Sequence, residues 1–336
     1  MSALFVGVFL ASLLMTFMLR RYALHRQLID MPNARSSHTV PTPRGGGVAI
    51  VVSFLAALAA VAAVGILPLD QFAGLFGAGL IVALIGFADD HGHIAARWRL
   101  LGHFAAASWL LVCFGGLPRL NVFGFDVDLQ WYGAILAAVY LVWVLNLYNF
   151  MDGIDGIAGA VAICVTVVGA ILYYWCGHPQ QVWTPLLLAS ACAGFLIWNF
   201  PPAKIFMGDA GSGFLGIILA SMALQAASIE PQLLWSWLIL MGVFVVDATY
   251  TMLRRLIRGE KIYEAHRSHA YQYASRQHSS HKKVTLSVVL INIVWLTPLA
   301  LWVGKGGLDG LSGLVLAYVP LLFLAIRYNA GKPEYL

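Results

Sequence analysis

Charged side chains are scarce in this chain. Asp, Glu, Lys and Arg make up 10% of its 336 residues, whereas 60% are hydrophobic and the mean hydropathy is +0.81. A soluble domain carries roughly 25% charged residues and about half apolar ones. The apolar excess extends along the whole length without a polar block, which excludes a soluble core with one anchor. The composition therefore predicts a polytopic membrane protein.

Paired cysteines are also lacking. The four cysteines, Cys113, Cys164, Cys176 and Cys192, show no C-x-x-C spacing, which gives no indication of a disulfide framework or a zinc site. Repeats of solenoid period and low-complexity linkers are absent too, so residues 1–336 are expected to form a single integral-membrane domain. The first apolar run has no basic residue before it, and this argues against a cleaved signal peptide.

What the chain has instead is a series of long apolar runs. A helical span needs about 20 apolar residues. Eleven spans are predicted, at 2–19, 45–67, 72–88, 100–117, 131–148, 157–175, 183–200, 213–229, 234–253, 284–303 and 310–326. The predicted fold is thus an all-α membrane protein with about eleven transmembrane helices.

The basic residues predict its orientation. With the N-terminus on the periplasmic side, the inner loops and the C-terminal tail contain 18 of the 20 Lys and Arg residues. Cytoplasmic loops of membrane proteins are enriched in these residues. We therefore expect a cytoplasmic C-terminus, and we attribute the net charge of +5 to this bias, not to a nucleic-acid partner.

Ten of the 15 acidic residues lie in or next to the predicted inner loops. The third span ends in the adjacent pair Asp89 and Asp90, which repel each other unless a cation or an arginine compensates. The alternative is that the pair simply lies at a helix end exposed to water.

Asp209 begins a glycine–serine turn before the eighth span, where exposed N–H groups at a helix start favour anions. Asp247 lies within the ninth span, where an ionisable residue is a functional candidate or forms a structural hydrogen bond.

The short inner loop after the fifth span contains Asn149, Asp152 and Asp155 but no basic residue. If this stretch were helical, the three would share one face. A glycine turn with polar side chains in water is the alternative. Two carboxylates without a basic partner suit Mg²⁺, which favours one or two carboxylates together with water and phosphate oxygens.

Basic residues gather in two other inner loops. Residues 254–283, the largest inner loop and a candidate for substrate recognition, contain eight Lys or Arg and four His, a composition that attracts anions or lipid headgroups. The first inner loop, 29–47, contains Asp30, Arg35, His38 and Arg44. Together the inner loops predict a cytoplasmic cleft with carboxylates for a metal and basic groups for phosphate.

Five ordered motifs make the chain resemble a known family. They are D-x-PNAR-x-x-H…P from Asp30, GFADD after the third span, N-x-x-DG-x-DG-x-A after the fifth, GDAGS before the eighth, and D…RR…G…HRSH around the last inner loop. Over nearly its full length the chain is similar to the polyprenyl-phosphate N-acetylhexosamine-1-phosphate transferases (glycosyltransferase family 4), which include WecA-like, WbpL-like and MraY-like enzymes.

This resemblance implies a Mg²⁺-dependent enzyme, with Mn²⁺ as a substitute, in the bacterial inner membrane with its active site facing the cytoplasm. A sugar phosphate would pass from a UDP-N-acetylhexosamine to a polyprenyl phosphate, releasing UMP. Membrane lipid surrounds the protein, and a second copy, forming a homodimer, is a further candidate partner. Phosphoryl transfer depends mainly on positioning and charge neutralisation, which agrees with the residues.

The resemblance also implies roles for individual residues. Asp209 and Asp152 would be metal ligands, while Asp89 and Asp90 would place the polyprenyl phosphate or assist its attack. His269 would contact the phosphates. The remaining candidates for substrate binding are Asn149, Asp155, Arg267, His266, Arg44 and Asp30.

Two departures from the family pattern bear on the substrate. The histidine-rich triplet of MraY-like and WecA-like enzymes is reduced to His269, and His93 stands where WecA-like sequences often have an acidic residue. Both favour a WbpL-like initiator of O-antigen synthesis over a cell-wall enzyme. The sugar stays open among GlcNAc, FucNAc, QuiNAc and GalNAc.

A secondary transporter is the competing interpretation, since carboxylates can form an ion path. Transporters, however, place ionisable sites near the middle of the membrane and often consist of two similar halves. Here nearly all the carboxylates gather at one face, and no halves are apparent in the sequence.

Overall fold

The computed structural model describes residues 2–32, 37–92, 94–261 and 266–333. The helices in this part of the chain are α1 (Ser2–His25), α2 (Val48–Ala63), α3 (Leu69–His91), α4 (Ala96–Phe114), α5 (Gln130–Phe150), α6 (Ile157–Trp175), α7 (Trp183–Asn199), α8 (Asp209–Ile229), α9 (Pro231–Leu240), α10 (Gly242–Ile257), α11 (Ala270–His278), α12 (His281–Ile291), α13 (Thr297–Gly304) and α14 (Gly310–Arg327). A 3₁₀ turn at Pro179–Val182 precedes α7, and a π turn at Asn292–Leu296 joins α12 to α13.

Two short antiparallel strand pairs accompany the helices. β1 (Ile29–Asp30) pairs with β2 (Thr42–Pro43), with Asp30 opposite Thr42. β3 (Leu120–Val122) pairs with β4 (Phe125–Val127), with Asn121 opposite Asp126. The predicted all-α architecture is therefore confirmed in its main part, and the strands only tie the ends of loops together.

Every predicted span overlaps a helix, but eleven spans are more than the described residues support. Eight of their helical segments are long and apolar enough to cross a bilayer, and a bent pair makes nine if it counts as one span. α2 has only 16 residues, and α4 begins with two arginines in its first turn. The expected number is thus corrected to eight or nine by length and hydropathy.

The predicted ninth span, 234–253, is not one straight helix. It consists of α9 and α10, which meet at Met241 with a bend of 71°. Hydropathy averaged over a window cannot detect such a break, because the two halves together are as apolar as a single straight span. The bend leaves Asp247 on a separate helix, α10, whose last turn contains Arg254 and Arg255.

α8 is the innermost helix. In its most apolar stretch 89% of the residues are buried inside the protein, compared with 17% for α1. It packs against α3, α5 and α9, whereas α1 lies against α7 and α2. Gly, Ala and Ser occupy many positions of α8, and such small side chains allow close helix packing within membranes. Asp209, the first residue of α8, is thereby fixed near the centre of the molecule.

Two glycines bring the end of α3 against the start of α8. A Cβ on Gly86 would lie 2.5 Å from the Asp209 carbonyl oxygen and from the Ala210 nitrogen, so no side chain fits there. Gly208 has a φ of +79°, which glycine adopts readily. This close approach positions the carboxylates at the end of α3 beside the first turn of α8.

Candidate active site

A polar cleft of about 280 Å³ lies where the end of α5 and the start of α8 meet the first inner loop. Seven of the predicted site residues line it: Asp30, Arg44, Asp90, Asn149, Asp152, Asp155 and Asp209. Residues from five separate inner segments of the sequence therefore meet in one place, since Gln272 and His281 of the last segment line it as well.

An apolar groove of about 330 Å³ begins beside this cleft. It runs between α3, α4, α5 and α8 and is lined mainly by aliphatic and aromatic side chains such as Leu100, Phe104 and Trp143. Asn149 and Asp209 line both cavities. The two cavities thus share a polar junction.

The carboxylate of Asp90 caps the first turn of α8. The Asp209 N–H donates to Asp90 Oδ1 at 3.1 Å, and the Ala210 N–H donates to Oδ2 at 3.2 Å. The first N–H groups of a helix have no partner within the helix, and a negative charge is favourable there. Asp90 is 6% exposed, and the Arg44 guanidinium donates to its backbone carbonyl at 2.5 Å. Both oxygens of this carboxylate are consequently occupied.

Asp89 is paired with an arginine. Its Oδ2 accepts a short hydrogen bond from Arg99, its Oδ1 accepts one from the Ile94 N–H at 2.8 Å, and Arg99 Nη1 also lies 3.5 Å from Asp209 Oδ2. The expectation that an arginine offsets the repulsion between neighbouring carboxylates is met by Arg99. This arginine joins Asp89 to Asp209 at the polar end of the groove.

Asp152 differs from these carboxylates. Within the described part of the chain its side chain accepts no hydrogen bond and forms no ion pair. Burial raises its pKa well above the usual range, and the negative charges of Asp209, Asp90 and Asp155 raise the pKa further. A bound cation would favour the ionised form of this carboxyl group.

A cation at this position would have two protein ligands. In the described part of the chain the Asp152 side chain has no hydrogen bond or ion pair, and the Asp209 carboxyl group lies next to that of Asp89 and 3.5 Å from Arg99 Nη1. No group of three or more His, Cys, Asp or Glu side chains that could hold a metal was found among the described residues. Two carboxylates suit Mg²⁺, which keeps several waters and takes further oxygens from substrate phosphates. The side chains present therefore fit this ion.

The segment with Asp152 and Asp155 is a loop, so the helical alternative considered from the sequence is wrong. α5 ends at Phe150, and α6 begins at Ile157 after Gly156 in the left-handed region. Asp155 Oδ2 accepts a hydrogen bond from the Ala203 N–H at 3.0 Å, and Oδ1 lies 3.1 Å from His281 Nδ1. Both carboxylate oxygens of Asp155 thus have partners within the protein, whereas those of Asp152 have none in the described part of the chain.

The structure does not bring His266, Arg267 and His269 into either cavity. His269 is 2% exposed and stacks on His266 at 4.9 Å between ring centroids. Its Nδ1 lies 3.4 Å from Asp247 Oδ1. Its ring also stacks on Phe150, which lines the groove, with 6.4 Å between the ring centroids. A contact between His269 and substrate phosphates stays a prediction.

Asp247 has a structural role of the kind that Asp90 has. Its Oδ1 accepts from the Ala270 N–H at 2.9 Å, and its Oδ2 accepts from the Tyr271 N–H at 3.0 Å, so it caps α11. Tyr271 in turn donates to the Phe150 carbonyl oxygen at 2.9 Å. A structural hydrogen-bonding role for Asp247, the alternative named from the sequence, is therefore supported.

Arg35 and His93, also named from the sequence, lie outside the described residues.

Among the lining residues to which the sequence analysis gave no place in the site are Phe206, Gln272, Arg99 and His281. Phe206 packs edge-on against His38 at 4.8 Å, and His38 Nε2 is buried without a hydrogen-bond partner in the described part of the chain. Arg99 had a signal, because it follows the acidic pair. For Phe206, Gln272 and His281, nothing local in the sequence indicated a contact with the distant carboxylates.

Comparison with the sequences of known proteins identifies the family. Residues 72–227 match the sequence model described as "Glycosyl transferase family 4". A Mycobacterium leprae protein named "Decaprenyl-phosphate N-acetylglucosaminephosphotransferase" is 30% identical over 301 residues, which are 79% of this chain and 74% of that protein. The chain belongs to glycosyl transferase family 4.

Two further members of the family are similar. A Bacillus subtilis protein named "Probable undecaprenyl-phosphate N-acetylglucosaminyl 1-phosphate transferase" is 28% identical over 298 residues, covering 87% of this chain and 82% of that protein. A Moorella thermoacetica protein named "Phospho-N-acetylmuramoyl-pentapeptide-transferase" is 32% identical over 227 residues, covering 63% and 69%. The family resemblance identified from the motifs is thus confirmed.

Proposed function

We propose that the protein transfers N-acetylglucosamine 1-phosphate from UDP-N-acetylglucosamine to a polyprenyl phosphate. The observation that carries the proposal is the junction of an acidic polar cleft with an apolar groove at Asn149 and Asp209. A water-soluble nucleotide and a membrane-bound lipid must meet in this reaction, and two such cavities with shared lining residues suit that meeting. The names of the relatives support the choice of donor and acceptor.

The lipid acceptor belongs in the groove. Leu100 and Phe104 are partly exposed on its wall, and an isoprenoid chain would cover them and remove apolar surface from water or lipid headgroups. The phosphate would lie at the polar end, within reach of Arg99. Arginine recognises phosphate through paired N–H donors.

The donor belongs in the polar cleft. Phe206 offers an aromatic wall for the base, and His38 Nε2 offers a polar atom without a protein partner in the described chain. The pyrophosphate would then lie toward Arg44 and Asp152. In this arrangement the sugar-bearing phosphorus faces the junction with the groove.

Asp152 and Asp209 would hold Mg²⁺, for which Mn²⁺ would substitute. When bound, the ion would neutralise charge on the pyrophosphate and on the leaving phosphate. The protein's own residues bring the two anionic substrates together: Arg99 offsets the charge of Asp89, and Arg44 contributes a second positive charge.

Attack by the acceptor needs no proton transfer to the protein. A phosphate monoester has a second pKa near 6 and carries close to two negative charges at neutral pH. One of its oxygens bonds to the sugar-bearing phosphorus, the bond from this phosphorus to the bridging oxygen breaks, and that oxygen leaves with UMP. We therefore assign Asp90 to positioning the start of α8, and Asp89 to positioning Arg99, in place of a role as general base.

The cellular setting is part of the proposal. The excess of basic residues in the predicted inner loops supports a cytoplasmic active site in a bacterial inner membrane and a periplasmic N-terminus. The reduced histidine motif at His269 supports a role in initiating O-antigen synthesis. A homodimer is a further proposal. A transporter remains the competing function, and proton-driven solute uptake into vesicles would favour it.

The test uses purified protein, polyprenyl phosphate and Mg²⁺ with a panel of UDP-GlcNAc, UDP-FucNAc, UDP-QuiNAc and UDP-GalNAc. We expect UMP release with UDP-GlcNAc that requires both the lipid and the ion. Removal of the ion with a chelator should abolish the release, and Mg²⁺ or Mn²⁺ should restore it. A folded protein that releases no UMP from any of the four donors would refute the proposal.

A further inference from the structure

His281, the first residue of α12, lies between two groups from distant parts of the chain. Its Nε2 is 3.0 Å from the Ser37 carbonyl oxygen. A carbonyl oxygen only accepts, so Nε2 carries the proton of that hydrogen bond. On the other side of the ring, Nδ1 is 3.1 Å from Asp155 Oδ1 and 3.4 Å from the Asp155 backbone nitrogen. The imidazole therefore links the first inner loop to the loop after α5.

Asp155 extends this link to two more positions. The Ala203 N–H, in the segment between α7 and α8, donates to its Oδ2 at 3.0 Å, and the Thr285 hydroxyl donates to its carbonyl oxygen at 2.9 Å. The side chains of Asp155 and His281 are 13% and 18% exposed. Four segments that are far apart in sequence are thus joined at one largely buried contact, which we call the His281 clasp.

The clasp lies on the side of the polar cleft and away from the groove. Ser37, Asp155 and His281 line the polar cleft, and none of them lines the apolar groove. The segments that it joins also carry His38 and Phe206, the residues assigned above to the nucleotide. Loosening the clasp should therefore disturb the nucleotide side of the cleft and spare the lipid side.

We propose that His281 is a positioning residue that sets the width of the nucleotide side of the cleft and thereby the affinity for the UDP-sugar donor. The inference rests on the proposed function. His281 acts through Asp155 and the Ser37 carbonyl and has no part in the transfer of the phosphoryl group. The same contacts make Asp155 a scaffold for the loop of Asp152.

The test is the kinetic profile of His281→Ala. Loss of the clasp should raise the donor KM about tenfold, which corresponds to about 1.4 kcal/mol. The acceptor KM and kcat should stay within about twofold of the wild-type values. His278→Ala is the matched control: His278 ends the preceding helix, lies 3.3 Å from the Tyr328 hydroxyl and lines neither cavity, so all three constants should be unchanged.

Two further variants each keep one of the two contacts of His281, with Asp155 or with the Ser37 carbonyl oxygen. They also provide a test if the His281→Ala protein does not fold. The amide of Asn reaches the position of Nδ1, so His281→Asn keeps the contact with Asp155. The amide of Gln reaches the position of Nε2, so His281→Gln keeps the contact with the Ser37 carbonyl. Each should raise the donor KM less than Ala does. In a double-mutant cycle, Asp155→Asn should add little to His281→Ala, because the two residues act as one unit.

Three results would overturn the inference while the wild type is active. The first is an unchanged donor KM in His281→Ala or, if that variant does not fold, in both His281→Asn and His281→Gln. The second is an equal rise in the donor KM and the acceptor KM. The third is additivity of the His281→Ala and Asp155→Asn effects in the double-mutant cycle. A wild-type protein that releases no UMP would instead refute the proposed function, and the inference with it.

Discussion

Asp90 and Asp152 line the same cleft, yet only the replacement of Asp90 by asparagine should lower the stability of the protein. Asp90 holds the start of α8 through two backbone N–H groups. The Asp152 side chain has no hydrogen bond or ion pair in the described chain, and both its burial and the charges of Asp209, Asp90 and Asp155 raise its pKa and so oppose its ionisation. The Asp90 carboxylate therefore has a structural contact to lose, whereas the Asp152 carboxylate has a role only in the proposed binding of Mg²⁺.

The magnitude follows from the contacts of Asp90. A hydrogen bond to a charged group contributes about 1.5–3 kcal/mol, and a negative charge at a helix start contributes about 0.3–1 kcal/mol. Asparagine has one oxygen, so it satisfies one of the two N–H groups and turns an amide N–H₂ toward the other. We expect Asp90→Asn to lower the free energy of unfolding by about 2–4 kcal/mol. Asp152→Asn should leave it unchanged or raise it.

The assay is thermal unfolding in detergent without divalent cations, followed by tryptophan fluorescence, with UMP release measured in parallel. Both variants should lose activity, but only Asp90→Asn should unfold at a lower temperature than the wild type. If Asp90→Asn were as stable as the wild type, the capping role of Asp90 would be wrong. If Asp152→Asn were the less stable of the two, the carboxylate of Asp152 would have a structural role.

Two further predictions concern the positions of α8 and α11. Gly86→Ala should displace the start of α8, because the new Cβ would lie 2.5 Å from backbone atoms of Asp209 and Ala210; activity should fall strongly, whereas Gly7→Ala, which meets nothing within 4 Å, should be neutral. Asp247→Asn should lower the thermal stability by removing one of two capping bonds of α11, at a cost of about 1.5–3 kcal/mol; an unaltered unfolding temperature would contradict this role.

The sequence was sufficient to predict that carboxylates from distant loops meet, although His266, Arg267 and His269 do not join them. Carboxylates in an apolar chain are costly unless they lie at a membrane boundary with a function or a partner, and the basic residues predict on which side of the membrane these carboxylates lie. Asp90, Asn149, Asp152 and Asp209 line one cleft as expected. Family membership followed from the same motifs.

The sequence could not show which carboxylates already have hydrogen-bond or ion-pair partners within the protein. Asp90 bonds to N–H groups 119 and 120 positions away, and Asp155 meets His281 at a separation of 126. Such contacts depend on how the helices pack, and no local pattern of residues encodes them. The bend at Met241 was missed for a related reason, because hydropathy reports how apolar a segment is and not its direction.

The most direct test of the central claim follows the two phosphorus atoms of the donor. UDP-GlcNAc labelled with ³²P at the phosphorus next to the sugar, or at the one next to uridine, is incubated with the protein, polyprenyl phosphate and Mg²⁺. If the protein transfers the sugar together with its phosphate, the first label enters the lipid extract and the second stays in water as UMP. Release of both labels together as UDP would contradict transfer of a sugar phosphate.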